Sequence, residues 1–396
     1  MPSQACDPMH LRKLPALLLR AAVAAFVAIF VMAPGSARSD ESSRHAWTEN
    51  ESMLLFFEAV EKIRSHSINS DSAQEIVRKA LREYLKKQDP FADYLTADEY
   101  AALKVASADN RYAGVGMDLA IDSSGKVLCI PFPGSPAERG GIHYGDALLA
   151  VNGAAVEGRS VFAIGKGIRG PRGGTVKLTV LKHSGKVHEV TLIREAIQFK
   201  SVHLESSGQL SIIRILRFTP ETPAELKPAL AQSTLRNAPL VMDLRGNTGG
   251  DLFAAIDCAS LFLKKGARIA LLKTHQGEQW LINKEDPLVS ASRLYLWQDR
   301  QTASAAEVFI AALTDNGRAV SIGETTFGKG VALRFVELTD GSALLLTYAN
   351  IFPPNGASFH GVGLKPSISL SATSGSTQDK SQYLDETNHL LEMNQY

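Results

Sequence analysis

Three short loops late in the chain gather the groups that acyl-transfer chemistry needs. They are Arg245-Gly246-Asn247-Thr248-Gly249-Gly250, Gln301-Thr302-Ala303-Ser304-Ala305-Ala306-Glu307 and Phe327-Gly328-Lys329-Gly330. The double glycine follows an apolar strand and precedes an apolar helix. Its turn would expose backbone N–H groups at a helix N-terminus, which suits a developing anion. Ser304 stands between alanines at an expected loop-to-helix start, where small neighbours let a substrate backbone approach. Lys329 is flanked by glycines between two apolar segments. Each loop taken alone also reads as ordinary structure: a strand-to-helix turn, a serine N-cap and a solvated loop lysine.

Other chemistries find less support. There is no G-x-S-x-G nucleophile elbow. None of the ten histidines falls in a local motif. His360, in Phe359-His360-Gly361, is the most loop-like and reads as structural. A Ser–His–Asp triad is assembled in space, so spacing does not decide against one. Gly170-Pro171-Arg172-Gly173-Gly174 lacks the Lys-Ser/Thr ending of a phosphate loop and reads as a turn. No C-x-x-C or H-E-x-x-H is present, so neither metal nor cofactor is expected.

The elements needed to hold these loops follow from the apolar pattern. At ~150 residues per domain, 396 residues imply two or three domains. Apolar residues at 45% and charged residues at 21% fit a globular protein with a sizeable core. The formal net charge is +1, without the basic excess of a nucleic-acid binder. From about Ser201 the pattern is α/β. Strands are expected at Leu240 to Leu244, Ala267 to Leu272, Leu294 to Trp297 and Val320 to Ile322. Helices are expected at Leu252 to Leu263 and Ala305 to Leu313. Val331 to Leu338 and Ala343 to Phe352 read as a hairpin about Asp340-Gly341. The tail from Ser371, rich in Ser, Thr and Gln, reads as a flexible segment, 371–396.

Upstream, residues 108–198 form a Gly-rich run of short strands and two short helices, with hairpin signals at Asn152-Gly153 and His183-Ser184-Gly185. Residues 41–107 read as an N-terminal helical region. Met53, Leu54, Phe56, Phe57, Val60 and Ile63 repeat at helical spacing, as do Ile76 to Leu85. Thr96 and Glu99 form a capping-box pattern. Before these, Arg12, Lys13 and Arg20 precede an uncharged run, Ala21 to Pro34, and the small residues Gly35-Ser36-Ala37. That is the grammar of a secretory signal over 1–37. The run is short for a membrane span, which needs ~20 apolar residues; a retained anchor and a buried helix are the other readings. Cys6 would leave with the signal. Cys129 and Cys258 read as two unpaired buried thiols in separate domains, with one disulfide as the alternative.

In this order, the loops resemble the C-terminal processing, or tail-specific, peptidase family. Asp243 to Gly250 resembles its D-L-R-x-N-x-G-G segment. Thr302 to Glu307 resembles T-A-S-A-S-E, whose serine is the nucleophile, with Ala306 replacing the second serine. Thr326 to Gly330 resembles T-F-G-K-G, whose lysine is the general base. Ser304 and Lys329 are 25 residues apart, as in the family. Asp89-Pro90 with Tyr94-Leu95 partly resembles D-P-H-S-x-Y-L, with Phe91 and Ala92 at its His and Ser. Gly114, Val115, Gly116 and Met117 resemble the carboxylate-binding loop of a PDZ domain, where a peptide adds as a strand. Gly134 to Glu138, Gly145-Asp146 and Val151 to Gly153 resemble its later landmarks. The alternative is a PDZ-like module that only packs against the core. The likeness covers roughly residues 50 to 370.

The resemblance implies an α/β protease core (crotonase-like, tail-specific protease fold) at 199–370, with an inserted β-rich PDZ domain and N-terminal helices. It implies a serine endopeptidase with Ser304 as nucleophile, Lys329 as base, and the amides of Gly250 and Ala305 as oxyanion donors. A lysine base at neutral pH needs its pKa lowered by about three units, which burial can supply. Phe327 and Leu333 are the expected pocket walls. Leu333 also stands where the family has a glutamine thought to orient the lysine. That departure motivates the alternative of a catalytically weak PDZ scaffold; a Ser–His hydrolase on the same fold is a second. Expected partners are proteins with unstructured, apolar C-terminal tails. Self-association through the N-terminal helices and an adaptor or activator protein are further expectations. The implied location is exported, in a Gram-negative periplasm, with a secreted or chloroplast-lumen setting as the alternatives.

Overall fold

The computed structural model describes residues 49–108, 113–121, 125–159, 161–182, 184–197, 199–234, 239–289, 293–370 and 380–393. The signal-like segment lies outside these residues. Among the described residues no helix is long and apolar enough to cross a membrane.

The chain divides into two compact units at Ala73/Gln74. In the first, the helix Glu49–His66 exposes Met53, Leu54, Phe56 and Phe57, while Val60 is buried. In the second, the expected helical region is only partly helical. Between the helices Ala73–Gln88 and Ala97–Ala108 lies a fully buried strand, Asp93–Leu95. It pairs antiparallel with Leu345 to Ala343 and so belongs to the protease core.

That core holds two sheets. The larger runs Val202–Ser207, Leu210–Ile215, Leu240–Asp243, Leu294–Gln298, Val320–Gly323, Ile368–Ser369 in spatial order. The first pair is an antiparallel hairpin and every later pairing is parallel. Parallel neighbours need crossovers. The helices Thr222–Thr234, Leu252–Ser260 and Ala305–Asp315 lie between successive strands of this sheet. Alternate residues face opposite ways. Leu240, Met242, Leu294 and Leu296 join the cluster containing helix residues Ala255, Cys258, Phe309 and Ile310. Val241, Tyr295 and Trp297 enter a second cluster with Tyr383 and Leu391. The tail therefore departs from the flexible segment expected. Its helix Lys380–Met393 covers the second face through Tyr383, Thr387 and Leu391, spaced by one helical turn.

The second sheet centres on the long strand Ala343–Phe352. Asp93–Leu95 and Arg268–Thr274 pair with it, as does Val331–Glu337, and Gly277–Ile282 extends it beyond Arg268–Thr274. The inserted module forms its own sheet in the order Met117–Ile121, Val127–Pro131, Ala147–Val151, Thr175–Leu181, Val187–Ile193. Its core includes Val115, Ile142, Ile164, Val176 and Leu178. The chain enters at Ala113–Gly114 and leaves at Glu195–Ala196, two segments that pair with each other. Cys129 and Cys258 are free and buried, one in each domain. Burial pushes the Cys129 thiol up to about 12 and raises Cys258 as well.

Candidate active site

Ser304 is the N-cap of Ala305–Asp315 and sits at φ +56°, ψ −121°. A non-glycine residue at positive φ is strained, and such strain concentrates at functional sites. The surroundings hold it there. Asp299 Oδ1 accepts the amides of Gln301 and Thr302 at 3.1 and 3.0 Å, and that of Gly246 at 3.1 Å. Thr302 Oγ1 donates to Leu244 O at 2.9 Å. The Ala303 amide donates to Asn247 O at 2.9 Å. The serine loop is thus tied to the end of strand Leu240–Asp243 and to its glycine turn.

Asn247 organises that turn. Its Nδ2 donates to Ile215 O and its Oδ1 accepts from the Gly249 amide, each at 2.9 Å. Gly249 packs so closely that a Cβ there would lie 2.8 Å from Ser304 Cβ and 2.9 Å from Ala305 N. Gly250 has φ +124°, and a Cβ would meet Phe218 O at 2.0 Å. Only glycine fits at either position. Among the described residues, the amides of Gly250 and Ala305 donate to no acceptor. Two free N–H groups therefore lie beside the serine, at the N-terminal ends of two helices.

Lys329 comes from a separate loop. Phe327 N donates to Thr302 O at 2.9 Å, joining that loop to the serine loop. A buried carboxylate joins them again: Glu307 Oε2 accepts the amides of both Ser304 and Lys329, each at 2.8 Å. The lysine Nζ lies 4.8 Å from the centroid of the Phe91 ring, and Phe91 packs edge-on to His360. Among the described residues no hydrogen bond or ion pair reaches this Nζ. Burial pushes its pKa down and nearby Arg217 assists, while Asp89 and Glu307 oppose.

Leu333 packs with Leu95, Tyr100, Ala343 and Leu345. Alternation along Val331–Glu337 sends Leu333 and Phe335 to one cluster and Ala332 to another, and the extra residue of the register shift beside them, Tyr348, lies on the partner strand. Phe91, from the region expected to be helical, is an aromatic wall at the lysine. His360 has a structural contact, accepting the Gly330 amide on Nδ1 at 3.2 Å.

In the inserted module, Gly114 pairs with Glu195, Val115 is buried, and Met117 opens the edge strand Met117–Ile121. Gly116 lies between them with φ +68°, and a Cβ would lie 2.5 Å from Ser135 Cβ. Among the described residues only one side of Met117–Ile121 is paired, which leaves its other edge for an added strand. Asp118 on this strand pairs at 3.0 Å with Arg217, whose Cγ approaches the Gly250 turn.

Four residues that shape the site escaped the sequence reading: Phe91, Arg217, Asp299 and Glu307. Glu307, at the third helical position after Ser304, carried a readable capping-box signal. Asp299 and Thr302 carried the pattern of a side-chain-capped turn. Phe91 entered only as the residue at the histidine of the D-P-H-S-x-Y-L resemblance, and Arg217 carried no signal.

Fold and site together define the class: a PDZ-bearing protein with the tail-specific protease fold. The profile of Peptidase family S41 matches residues 209–370, and that of the PDZ domain matches 106–181. A probable CtpA-like serine protease of Staphylococcus aureus (strain bovine RF122 / ET3-1) is 31% identical over 312 residues, 76% of this chain and 62% of the relative. A protein of the same description from Staphylococcus epidermidis is 29% identical over 304 residues, 76% of this chain and 62% of the relative. The chain thus spans about 62% of the length of these curated relatives. Among solved structures, the photosystem II D1 C-terminal processing protease matches with a TM-score of 0.67 and 27% identity, over 80% of this chain and 92% of that one. Residues 209–370 thus form a Peptidase family S41 domain, joined to a PDZ domain at 106–181.

Proposed function

We propose that this chain is a serine endopeptidase that cleaves proteins near their C-termini. Ser304 Oγ attacks the scissile carbonyl carbon while the free amine of Lys329 takes its proton. The tetrahedral oxyanion accepts hydrogen bonds from the Gly250 and Ala305 amides. Lys329 then gives its proton to the leaving amine, and water hydrolyses the acyl-enzyme by the reverse sequence. The observation that carries this reading is the meeting of a strained serine, a desolvated lysine without an acidic partner, and two undonated amides. Removing one oxyanion donor typically costs about 10²–10³ in rate.

The inserted module selects the substrate. A tail adds along Met117–Ile121, and its carboxylate is held by the loop Gly114 to Met117. The scaffold alternative rests on the glutamine missing at Leu333, and the casein assay below decides between the two. Export to the periplasm follows from the signal-like segment, and the N-terminal mass of the mature protein from a periplasmic fraction tests it.

The functional test is cleavage of casein, beside Ser304→Ala and Lys329→Ala. Both variants are expected to lose at least about 10³-fold in kcat/KM. Full activity in either refutes the dyad. Amidating the C-terminus of a peptide-tagged substrate is expected to slow cleavage; an unchanged rate refutes tail recognition by the module.

A further inference from the structure

The helix Ala305–Asp315 is buried from Ala305 to Leu313, and all of those residues are apolar except Glu307. No ion pair reaches this carboxylate among the described residues. An unpaired buried carboxylate is costly and persists only where hydrogen bonds replace its hydration. Four do so. Oε1 accepts from the Thr326 hydroxyl and from the Gly328 amide at 2.7 Å. Oε2 accepts from the Ser304 and Lys329 amides, both at 2.8 Å. Three of the partners are backbone amides, which only donate, and the Thr326 hydroxyl donates as the fourth, a set that suits an ionised carboxylate. Burial raises its pKa above the ordinary carboxylate value, and the four donors hold that rise back.

A helix cap alone would require only the Ser304 amide. The other three donors come from the lysine loop, 19 to 22 residues further along the chain. Because one oxygen receives both amides, the backbones of Ser304 and Lys329 lie within twice one hydrogen-bond length of each other. We propose that Glu307 is a positioning residue, whose carboxylate clamps the serine and lysine loops in register for proton transfer. This rests on the Ser304–Lys329 reading above. The clamp also places a negative charge near Lys329. The other groups facing that ammonium are Asp89, which acts in the same sense as Glu307, and Arg217, which acts against it. His360 contacts the lysine loop through the Gly330 amide.

The test is Glu307→Gln in the full chain, measured with casein or a tailed peptide. A glutamine turns its NH2 toward two of the four donors and frees the loops to separate. Displacement of a catalytic group by about 1 Å can cost about 10²-fold, so kcat is expected to fall by about that factor with KM nearly unchanged. Loss of the charge favours the free amine, so the acid limb of the kcat profile moves to lower pH. A folded variant with unchanged kcat and an unmoved acid limb, whatever its melting temperature, overturns the proposal. If Glu307→Gln does not fold, Thr326→Val removes one donor and keeps the carboxylate. Its kcat is then expected to fall several-fold at constant KM, and an unchanged kcat overturns the clamp. Ser304→Ala and Lys329→Ala are run in parallel. Inactive alanine variants beside a fully active Glu307→Gln overturn the clamp alone, whereas active alanine variants remove the dyad and the clamp with it.

Discussion

The tail helix offers the most direct test of how the core is held beneath the site. Tyr383 is fully buried, its ring tilted against Trp297 with centroids 5.4 Å apart. The Arg245 guanidinium lies 4.7 Å from the Tyr383 centroid and 5.0 Å from that of Trp297. That guanidinium pairs with buried Asp243 at 2.7 Å. The Tyr383 hydroxyl donates to Gln298 O at 2.8 Å. Two substitutions separate these contributions. Tyr383→Phe removes only the hydroxyl, and Gln298 O keeps the Glu324 amide at 3.3 Å, so the cost is about 0.5–1.5 kcal/mol. Tyr383→Ala empties a ring-sized site and uncovers one face of Arg245; large aromatic deletions of this kind cost about 3–5 kcal/mol. Urea unfolding followed by tryptophan fluorescence reads both, since Trp297 is in the contact. Strand Leu294–Gln298 runs directly into the Asp299–Ser304 loop, so kcat per folded molecule is expected to fall in the alanine variant as well. A Tyr383→Ala protein within about 1 kcal/mol of wild type would refute the claim that this helix closes the core.

Three further outcomes follow from the site and the inserted module. On the proposed dyad Lys329 acts as a free amine, so activity is expected to rise with pH through its depressed pKa. Asp89 raises that pKa and Arg217 lowers it; the acid limb is expected to move down in Asp89→Asn and up in Arg217→Met, and like-signed shifts would contradict the assignment. Gly116→Ala introduces a Cβ 2.5 Å from Ser135 Cβ at φ +68°, and is expected to weaken binding of an apolar, free-carboxylate peptide by at least about tenfold in fluorescence anisotropy. Leu333→Gln is expected to leave kcat/KM within about threefold while costing about 1–3 kcal/mol in urea unfolding.

What could be read from the sequence follows the reach of each signal. The parallel strands were legible because both faces are buried, which makes Leu240 to Leu244 and Leu294 to Trp297 continuous apolar runs. The same fact implied a cover for each face. The second cover was missed because its helix is mostly polar: Tyr383, Thr387 and Leu391 are buried and Leu384 and Leu390 pack beside them. Local turns around Ser304, Lys329 and Gly250 were legible because glycines, small residues and caps act over a few positions. Val202–Ser207, Leu210–Ile215 and Thr222–Thr234 went unassigned, the helix carrying Pro228 in its interior. Strand Asp93–Leu95 was read as part of a helical region. At three residues it is too short for a period, and its partner lies some 250 positions away.

The absent glutamine looks different once the lysine's surroundings are assembled. A lysine base needs a desolvated amine and a fixed direction for its lone pair. Leu333 carries no hydrogen-bonding side chain and packs on Leu95 and Tyr100, so it does not fix the direction of the amine. Phe91 instead stands against Nζ, and the Asp89 side chain accepts the Phe91 amide at 2.8 Å, which fixes the turn that presents the ring. From below, Glu307 fixes the lysine backbone. The N-terminal segment and the first turn of the serine helix therefore share the work of placing the amine. A single strand position is not needed for it. The same segment continues into Asp93–Leu95, locked in the core sheet, so the aromatic wall is anchored by backbone pairing and not by a loop alone. On this geometry the lysine pocket is built by regions that sequence spacing holds far apart, and loosening either one should be felt at the amine before it is felt in the fold.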